Sequence, residues 1–193
     1  LPLMRALIVL ICLLSSQAWA TDRYAAVGGL TTGQCDSIGI ACTVRQCITA
    51  GTNGETCYIA PGTYPAAELG ASNYVIETSE FVNLVCSGAV GSCIFQPTGA
   101  NVSGIRLNSP PTGTMVITGI KIDGSTATPL DQCFYYSDGA AAYSVTSTDN
   151  TCTEANIYGH RIVANEMTLT SLRDTLTAST AVEPRSFVFT AGT

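Results

Sequence analysis

The sequence of 193 residues is poor in charge, in basic residues and in histidine. Charged residues make up 11%, less than half of the roughly 25% of an ordinary soluble domain. Only 8 lysines and arginines stand against 14 acidic residues, which gives a net charge of −6. Nucleic-acid binding and polybasic attachment to a membrane both need a basic surface, so the composition excludes these two partner classes. The hydrophobic share of 46% also excludes a disordered chain.

Long hydrophobic runs are scarce, and the one near the N-terminus is too short to cross a membrane. It covers about nine residues, 6–14, whereas a spanning helix needs about 20. Arg5 precedes this run and Ala18-Trp19-Ala20 follows it, which is the layout of a secretory signal peptide. We therefore predict a signal peptide over residues 1–20 and no membrane span after its cleavage. The mature protein is then secreted, at the cell surface or, in a bacterium, periplasmic.

Cleavage would remove Cys12 and leave an even number of cysteines, which in an exported chain indicates disulfides. A zinc site would need C-x-x-C pairs or cysteine with histidine at fixed spacing, and the sequence has neither. Among about a hundred possible pairings of eight cysteines, we take sequential local pairs as the working prediction. These pairs are Cys35–Cys42, Cys47–Cys57, Cys86–Cys93 and Cys133–Cys152.

One segment of the mature chain has helical periodicity. Val44, Cys47 and Ile48 share a face through i, i+3 and i+4 spacing. Thr43 can serve as the N-cap, with Gln46 completing a capping box, and Gly51 is a stop signal. The pattern predicts a short amphipathic helix of about two turns.

The remainder is predicted to form short strands, because threonine, serine and 18 glycines separate apolar runs of four to six residues. No long helical pattern lies between them, which argues against a βαβ fold. The predicted strands are Cys57–Ala60, Phe81–Cys86, Cys93–Gln96, Gly104–Leu107, Met115–Ile122, Gln132–Tyr136, Tyr143–Thr146, Arg161–Leu169 and Phe187–Thr190.

The segment 114–124 consists of two very short strands on either side of a Thr118-Gly119 break, each with two alternating apolar residues. Such bent pairs facing one core are typical of a chain that wraps a solenoid. A similar pattern at Arg161–Leu169 indicates a period of about 23 residues. A β-sandwich would account for the short strands almost as well. A solenoid needs a cap, and the helix at 43–50 lies where an N-terminal cap belongs.

Two stretches resemble secreted right-handed β-helix proteins of the pectin-lyase-like superfamily. Residues 41–48, Ala-Cys-Thr-Val-Arg-Gln-Cys-Ile, and 54–64, Gly-Glu-Thr-Cys-Tyr-Ile-Ala-Pro-Gly-Thr-Tyr, are similar to the N-terminal segment of their CSLREA type. Residues 116–124 are similar to coils of the same superfamily. The departures are Gln46-Cys47 in place of the usual Glu-Ala, and Cys57 in the first strand; both fit an extra disulfide between cap and coil.

The resemblance implies an all-β fold, a right-handed parallel β-helix with a short N-terminal capping helix. Residues 21–56 would form the N-terminal extension and cap, and residues 57–193 a single domain of coils. The strand pattern near Phe187–Thr190 leads us to expect further coils beyond Thr193. Activities in the superfamily vary widely, so the resemblance implies little about function.

By the same resemblance, polysaccharide lyases of this fold use carboxylates that hold calcium. The candidates here are Asp123, Asp131 and Asp138, all near predicted strand ends. Calcium needs about six to eight oxygen ligands at once, whereas Asp123-Gly124 and Asp138-Gly139 are ordinary turn pairs. We therefore expect isolated turn carboxylates and no cofactor, with calcium as the alternative.

Hydrolases of the superfamily carry an Asp-Asp pair and a Gly-His-Gly motif. This chain has Gly159-His160-Arg161 and no adjacent aspartates, and His160 is its single histidine. A histidine beside arginine at a strand start is usually a surface residue, and a triad has little support. The sequence therefore indicates no catalytic residue.

Tyrosines are the more suggestive candidates for ligand binding. Because neighbours in a strand face opposite sides, either Tyr135 or Tyr136 must point away from the core. An outward ring can stack on a sugar, and Tyr143 could extend this platform; the alternative is packing beneath the loop 133–152.

Thr168-Leu169-Thr170 and Thr175-Leu176-Thr177 are similar to the threonine arrays of ice-binding proteins. Such arrays need T-x-T repeated at the spacing of successive coils, and the sequence displays no such recurrence. Ice binding is therefore not expected.

These observations predict a secreted or cell-surface β-helix protein with a binding role, adhesin-like or polysaccharide-binding, and non-catalytic as far as the sequence shows. Its partner would be an extracellular polysaccharide or a surface glycan. The alternative is a polysaccharide lyase or glycoside hydrolase of the superfamily whose active coils lie partly beyond Thr193.

Overall fold

A computed structural model describes residues 22–69, 74–97, 103–108, 112–124, 130–137, 142–163, 167–178 and 185–189. The predicted signal peptide and Asp138 lie outside these ranges. The described chain is mostly β-structure, with three short helical segments near its start. These are a 3-10 turn at Ile38–Ile40 and two helices, α1 (Val44–Ala50) and α2 (Ala66–Leu69). The strands are β1 (Arg23–Leu30), β2 (Thr56–Ile59), β3 (Gly62–Pro65), β4 (Tyr74–Thr78), β5 (Asn83–Cys86), β6 (Cys93–Gln96), β7 (Ser103–Leu107), β8 (Gly113–Thr118), β9 (Ile120–Asp123), β10 (Leu130–Ser137), β11 (Tyr143–Thr148), β12 (Thr151–Val163), β13 (Met167–Leu172), β14 (Thr175–Ala178) and β15 (Arg185–Phe189).

Helix α1 forms where its periodicity predicts, and its three periodic apolar residues are buried. The Thr43 hydroxyl accepts a hydrogen bond from the backbone N–H of Gln46 at 3.3 Å, so the predicted N-cap is confirmed. The other half of the predicted capping box is replaced, because the Gln46 side chain donates to the carbonyl of Gly33 at 2.8 Å. The helix is thereby tied to the segment that precedes it.

The strands form two sheets, and the described strands pair with their neighbours in parallel. Sheet A has the order β1-β2-β5-β8-β11-β13. Sheet B has the order β3-β6-β9-β12-β10-β7-β4, with β14 and β15 also paired to β12. The long strand β12 joins β9 through Thr151–Thr153 and β10 through its later residues. The β-sandwich alternative is wrong, because that architecture is built from antiparallel sheets.

Partners in sheet A recur along the chain at unequal steps. One line of partners runs from Cys57 to Leu84 and Ile117, and then to Ser147 and Ser171. The step from Leu84 to Ile117 is the longest, and the step from Ser147 to Ser171 is the shortest. The shortest step, of 24 residues, agrees with the predicted period of about 23, whereas the other three, of 27, 33 and 30 residues, are longer because the connections between strands differ in length. The predicted break at Gly119, whose φ is +74°, does separate β8 from β9.

Strand β1 carries no clear strand signal in the sequence and is stabilised by tertiary contacts. Its first residue, Arg23, is buried and donates from Nε to Glu55 at 2.6 Å. Gly29 lies against Cys42, where a Cβ would come within 2.3 Å of the Cys42 backbone. Only glycine therefore permits β1 to approach this segment so closely.

The buried side chains form one apolar cluster drawn from both sheets and α1. Alternating strand positions point into it, as the burial patterns of β2, β8, β9 and β11 show. Four disulfides connect neighbouring elements, and all four predicted pairs are confirmed: Cys35–Cys42, Cys47–Cys57, Cys86–Cys93 and Cys133–Cys152. The Cys47–Cys57 bridge joins α1 to β2. Such bonds are typical of oxidising compartments.

No helix within the described ranges has both the length and the apolar character needed to span a membrane.

Candidate functional site

Tyr135 is the tyrosine of β10 that points away from the core. Its neighbours Phe134 and Tyr136 are buried, whereas Tyr135 is partly exposed. Strand alternation thus acts as the sequence predicts. The parallel pairing of β7, β10 and β12 places Arg106 and Arg161 directly beside Tyr135, one on each side. We call these three residues the Arg–Tyr–Arg row.

The two guanidinium groups cover the ring of Tyr135. The Cζ atoms of Arg106 and Arg161 each lie 5.2 Å from the ring centroid, within the range of a cation–π interaction. Because β7 and β12 flank β10 on opposite sides, the arginines approach the ring from opposite sides. The ring faces are therefore not open for a sugar to stack on, in contrast to the predicted platform.

Neighbouring side chains orient both arginines. Arg161 Nη1 lies 3.4 Å from Oε1 of Gln132, and Arg106 Nη2 lies 3.3 Å from Oδ1 of Asn108. The row places two guanidinium groups on either side of one ring, and the register of β4 with β7 also sets Glu77 beside Arg106. A guanidinium is a planar donor fork that matches carboxylate oxygens, so the row is chemically suited to an anionic ligand.

Tyr136 and Tyr143 do not extend this surface, because both are buried. The Tyr143 hydroxyl donates to the carbonyl of Ser137 at 2.8 Å, and its ring lies 5.8 Å from that of Phe81. Burial raises the pKa of Tyr136 well above its ordinary value, and the charges of Asp174 and Tyr143 act in the same direction. Both rings therefore pack in the interior and do not form part of an outer platform.

Of the three aspartates named for calcium, the structure describes Asp123 and Asp131. Asp123 accepts the Thr153 hydroxyl at 2.7 Å and lies 3.0 Å from Lys121 Nζ. Burial acting alone raises the pKa of Asp123, but hydrogen bonds from Thr153, Lys121 and Gln96 and the Lys121 charge lower it overall. Asp131 is partly exposed on β10, and Asp138 lies outside the described residues. Among the residues that are described, no group of three or more histidine, cysteine or acidic side chains could hold a metal ion.

His160 is buried, with 5% of its surface exposed, and the expectation that it lies at the surface is wrong. It pairs in register with Phe134, and the two rings stack at a centroid distance of 4.6 Å. Its Nδ1 lies 3.3 Å from the Tyr136 hydroxyl, and its Nε2 lies 3.5 Å from Oδ2 of Asp174. Alternation with buried Ile162 could have revealed this inward position from the sequence.

Asp174 collects hydrogen bonds from three elements. Its Oδ1 accepts the backbone N–H of Asn150 at 2.9 Å, and its Oδ2 accepts the Ser171 hydroxyl at 2.6 Å. Burial acting alone raises the pKa of Asp174, but hydrogen bonds from His160, Ser147, Ser171 and Asn150 outweigh it and lower the pKa to about 2. The carboxylate is thus held in its charged form.

A cavity of about 340 Å³ adjoins this buried cluster. Its walls combine the Cys133–Cys152 disulfide, Phe134 and Leu176 with His160 and Asp174. Both ring nitrogens of His160 lie close to protein partners, so the imidazole serves to satisfy the neighbouring buried polar groups.

No protein-family model matches this chain, and neither curated proteins nor solved structures show a significant similarity to it.

Proposed function

We propose that this chain is a secreted parallel β-helix protein that binds an acidic extracellular polysaccharide through the Arg–Tyr–Arg row. Three features support the β-helix. The described strands pair in parallel, and partners recur along sheet A. Residues 41–48, 54–64 and 116–124 also resemble pectin-lyase-like proteins. Parallel crossovers are almost always right-handed, which gives the proposed helix its hand. The four disulfides support export.

The Arg–Tyr–Arg row is the observation that carries the binding proposal. Arg106, Tyr135 and Arg161 occupy adjacent strands, so the two guanidinium groups are separated by about two strand spacings, roughly 9–10 Å. Tyr135 keeps both groups on the surface through cation–π contacts, which limits the side-chain entropy lost on binding. A uronate chain presents carboxylates repeatedly along its length, so it can engage both arginines at once.

The overall negative charge of the protein restricts the binding of an acidic polymer to places where positive side chains lie close together. The protein carries a net charge of −6, so an acidic polymer is repelled by most of its surface. Attraction depends on places where cations are concentrated. Arg173, another exposed arginine, lies outside the row and pairs with Asp149 at 2.6 Å.

The test is binding of polygalacturonate, an acidic polymer, and of neutral galactan to the purified disulfide-bonded protein. We expect polygalacturonate to bind and galactan not to bind. The double variant Arg106→Gln, Arg161→Gln should weaken the binding at least tenfold, because it removes both guanidinium groups. A tenfold loss of affinity corresponds to about 1.4 kcal/mol. Tyr135→Leu should weaken it less, because both charges remain.

Arg173→Gln is the matched control, since it removes an arginine outside the row. It should bind polygalacturonate as the unaltered protein does. Equal loss in Arg173→Gln and in the double variant would mean that only net charge matters, and would contradict the proposal. Equal binding of both polymers would contradict it as well.

A further inference from the structure

The outer surface of sheet A carries a regular set of hydroxyl groups across β8, β11 and β13. On each strand the outward residues alternate with inward ones, and the parallel register aligns them into three rows. Seven of the nine positions are threonine or serine. We call this set the hydroxyl face, and its rows are Thr114–Ser144–Thr168, Val116–Thr146–Thr170 and Thr118–Thr148–Leu172.

The hydroxyl face is ordered in both directions. Six consecutive residues of β11 pair with β8 and the same six pair with β13, without a register shift. Aligned residues on neighbouring strands are therefore about 4.7–4.9 Å apart, and successive outward residues on one strand are about 6.6 Å apart. The hydroxyls of Thr114 and Ser144 are 2.9 Å apart and hydrogen-bonded, which fixes their orientation. Threonine is stiff at χ1, so its hydroxyl and methyl groups occupy defined positions.

The hydroxyl face is also uncharged. The nearest ionic side chains in sequence, Asp149 and Arg173, follow the last row at its edge and pair with each other at 2.6 Å. Beneath the face, Met115, Val145 and Ile117 are buried and support the strands from the core. An uncharged grid of hydroxyl and methyl groups offers water hydrogen-bond donors and acceptors at regular intervals.

We propose that the hydroxyl face binds the surface of ice. The face is a donor and acceptor array that is ordered in two directions, with methyl groups between the hydroxyls. The sequence conceals this array, because the aligned positions lie far apart in the chain, at unequal intervals, and are not all threonine. T-x-T itself does not recur in register across these strands, as the sequence predicts, but serine and single threonines fill most of the aligned positions.

A crystalline polysaccharide is the competing occupant of a flat face. Sugar rings are bound by aromatic platforms, because each ring presents an apolar face for stacking. The nine positions of the hydroxyl face contain no aromatic residue. The stacked pair Tyr24 and Tyr58 belongs to β1 and β2, at the other end of sheet A. The composition of the face thus favours ice over a glycan crystal.

The test is the partition of the purified disulfide-bonded protein into slowly growing ice, together with inhibition of ice recrystallisation. We expect enrichment in the ice fraction relative to an inert protein of similar size. Thr146→Lys places a long charged side chain at the centre of the grid and should lower the partition at least tenfold. Thr63→Lys is the control, because Thr63 is exposed on β3 of sheet B, outside the face.

Thermal unfolding of each variant checks the fold, and Thr168→Lys replaces Thr146→Lys if the latter unfolds. Exclusion of the unaltered protein from ice would overturn the proposal. So would equal loss of partition in the control and in the central variant, and so would binding to crystalline chitin or cellulose that Thr146→Lys abolishes. The Arg106 and Arg161 substitutions leave the face intact and should not alter ice partition, so this proposal and the polysaccharide proposal can fail separately.

Discussion

The interior of the protein differs between its earlier and later strands. In sheet A, the inward positions aligned through β2, β5 and β8 are Cys57, Leu84 and Ile117, all fully buried and apolar. The same line continues through β11 and β13 with Ser147 and Ser171. His160, Asn150 and Asp174 lie in the same polar region. Parallel strands can therefore stack over an apolar or a polar interior, provided that each buried polar group finds a partner.

The two regions are stabilised by different physical effects. The apolar region gains from surface removed from water, in proportion to the area buried. Each hydrogen bond in the polar region contributes little net free energy of folding. A buried polar group left without its partner is costly, because it has lost its contacts with water and gained none in return. Truncations should therefore act through cavities in the first region and through unsatisfied polar groups in the second.

The largest effect is expected for Leu84→Ala in the apolar region. Leu84 is fully buried between Cys57 and Ile117, and its truncation leaves a cavity. We expect a loss of about 2–5 kcal/mol in the free energy of unfolding, measured by denaturant titration with the disulfides intact. Leu172→Ala is the control, since Leu172 is 48% exposed and should change stability by less than about 0.5 kcal/mol. Similar losses in both variants would mean that the apolar region is not tightly packed.

Asn150→Ala should have the next largest effect, through the polar region. The Asn150 amide oxygen accepts the Ile120 N–H at 2.9 Å, and its nitrogen donates to the Ile117 carbonyl at 2.8 Å. Its removal leaves these backbone groups buried and unsatisfied, at a cost of about 1–3 kcal/mol for such a group. The same denaturant titration measures it.

Ser144→Ala is the comparison for Asn150→Ala, because it removes only an exposed hydrogen bond from the same region of sheet A. Its effect should be within about 0.5 kcal/mol. If Asn150→Ala proves as mild as Ser144→Ala, the polar interior does not depend on the bonds described, and the contrast between the two regions weakens.

The smallest effect on the free energy of unfolding is expected only at acidic pH. The folded pKa of Asp174 is about 2, below the roughly 3.9 of an unfolded aspartate. This lowered pKa contributes stability that is fully present above about pH 4 and is lost as the pH falls towards 2. Asp174→Asn should flatten this part of the curve of stability against pH, measured by denaturant titration at a series of pH values. An unchanged slope in Asp174→Asn would show that its carboxylate does not bind protons differently in the two states.

Local signals in the sequence predict much of the fold. Thr43, the i, i+3, i+4 residues and Gly51 define α1, and the break at Gly119 separates β8 from β9, because capping, amphipathicity and turn conformation depend on residues close in the chain. The disulfide pairs follow the same logic, since each joins cysteines that are neighbours in sequence. Strands β1, β3, β4 and β14 are not predicted by such signals, because their stability comes from pairing with distant strands.

The candidate sites show the same division. Alternation alone predicts that one tyrosine of the pair Tyr135 and Tyr136 faces outward. It cannot predict that Arg106 and Arg161, which are distant from Tyr135 in the chain, cover its ring, because strand register depends on the length of each connection. The position of His160 is mispredicted for a related reason: its polarity suggests the surface, while the partners that satisfy it inside come from other strands.

The sequence by itself determined the export signal prediction, the low charge, the capped helix, the strand-rich pattern and the pairing of the cysteines. Only the tertiary structure decided which residues lie side by side across strands, and hence the Arg–Tyr–Arg row, the hydroxyl face and the buried contact of His160 with Asp174. The physical reason is that hydrogen bonding and burial within a short segment are set by local residues. Contacts across parallel strands are set by register, which links residues that are far apart in the chain.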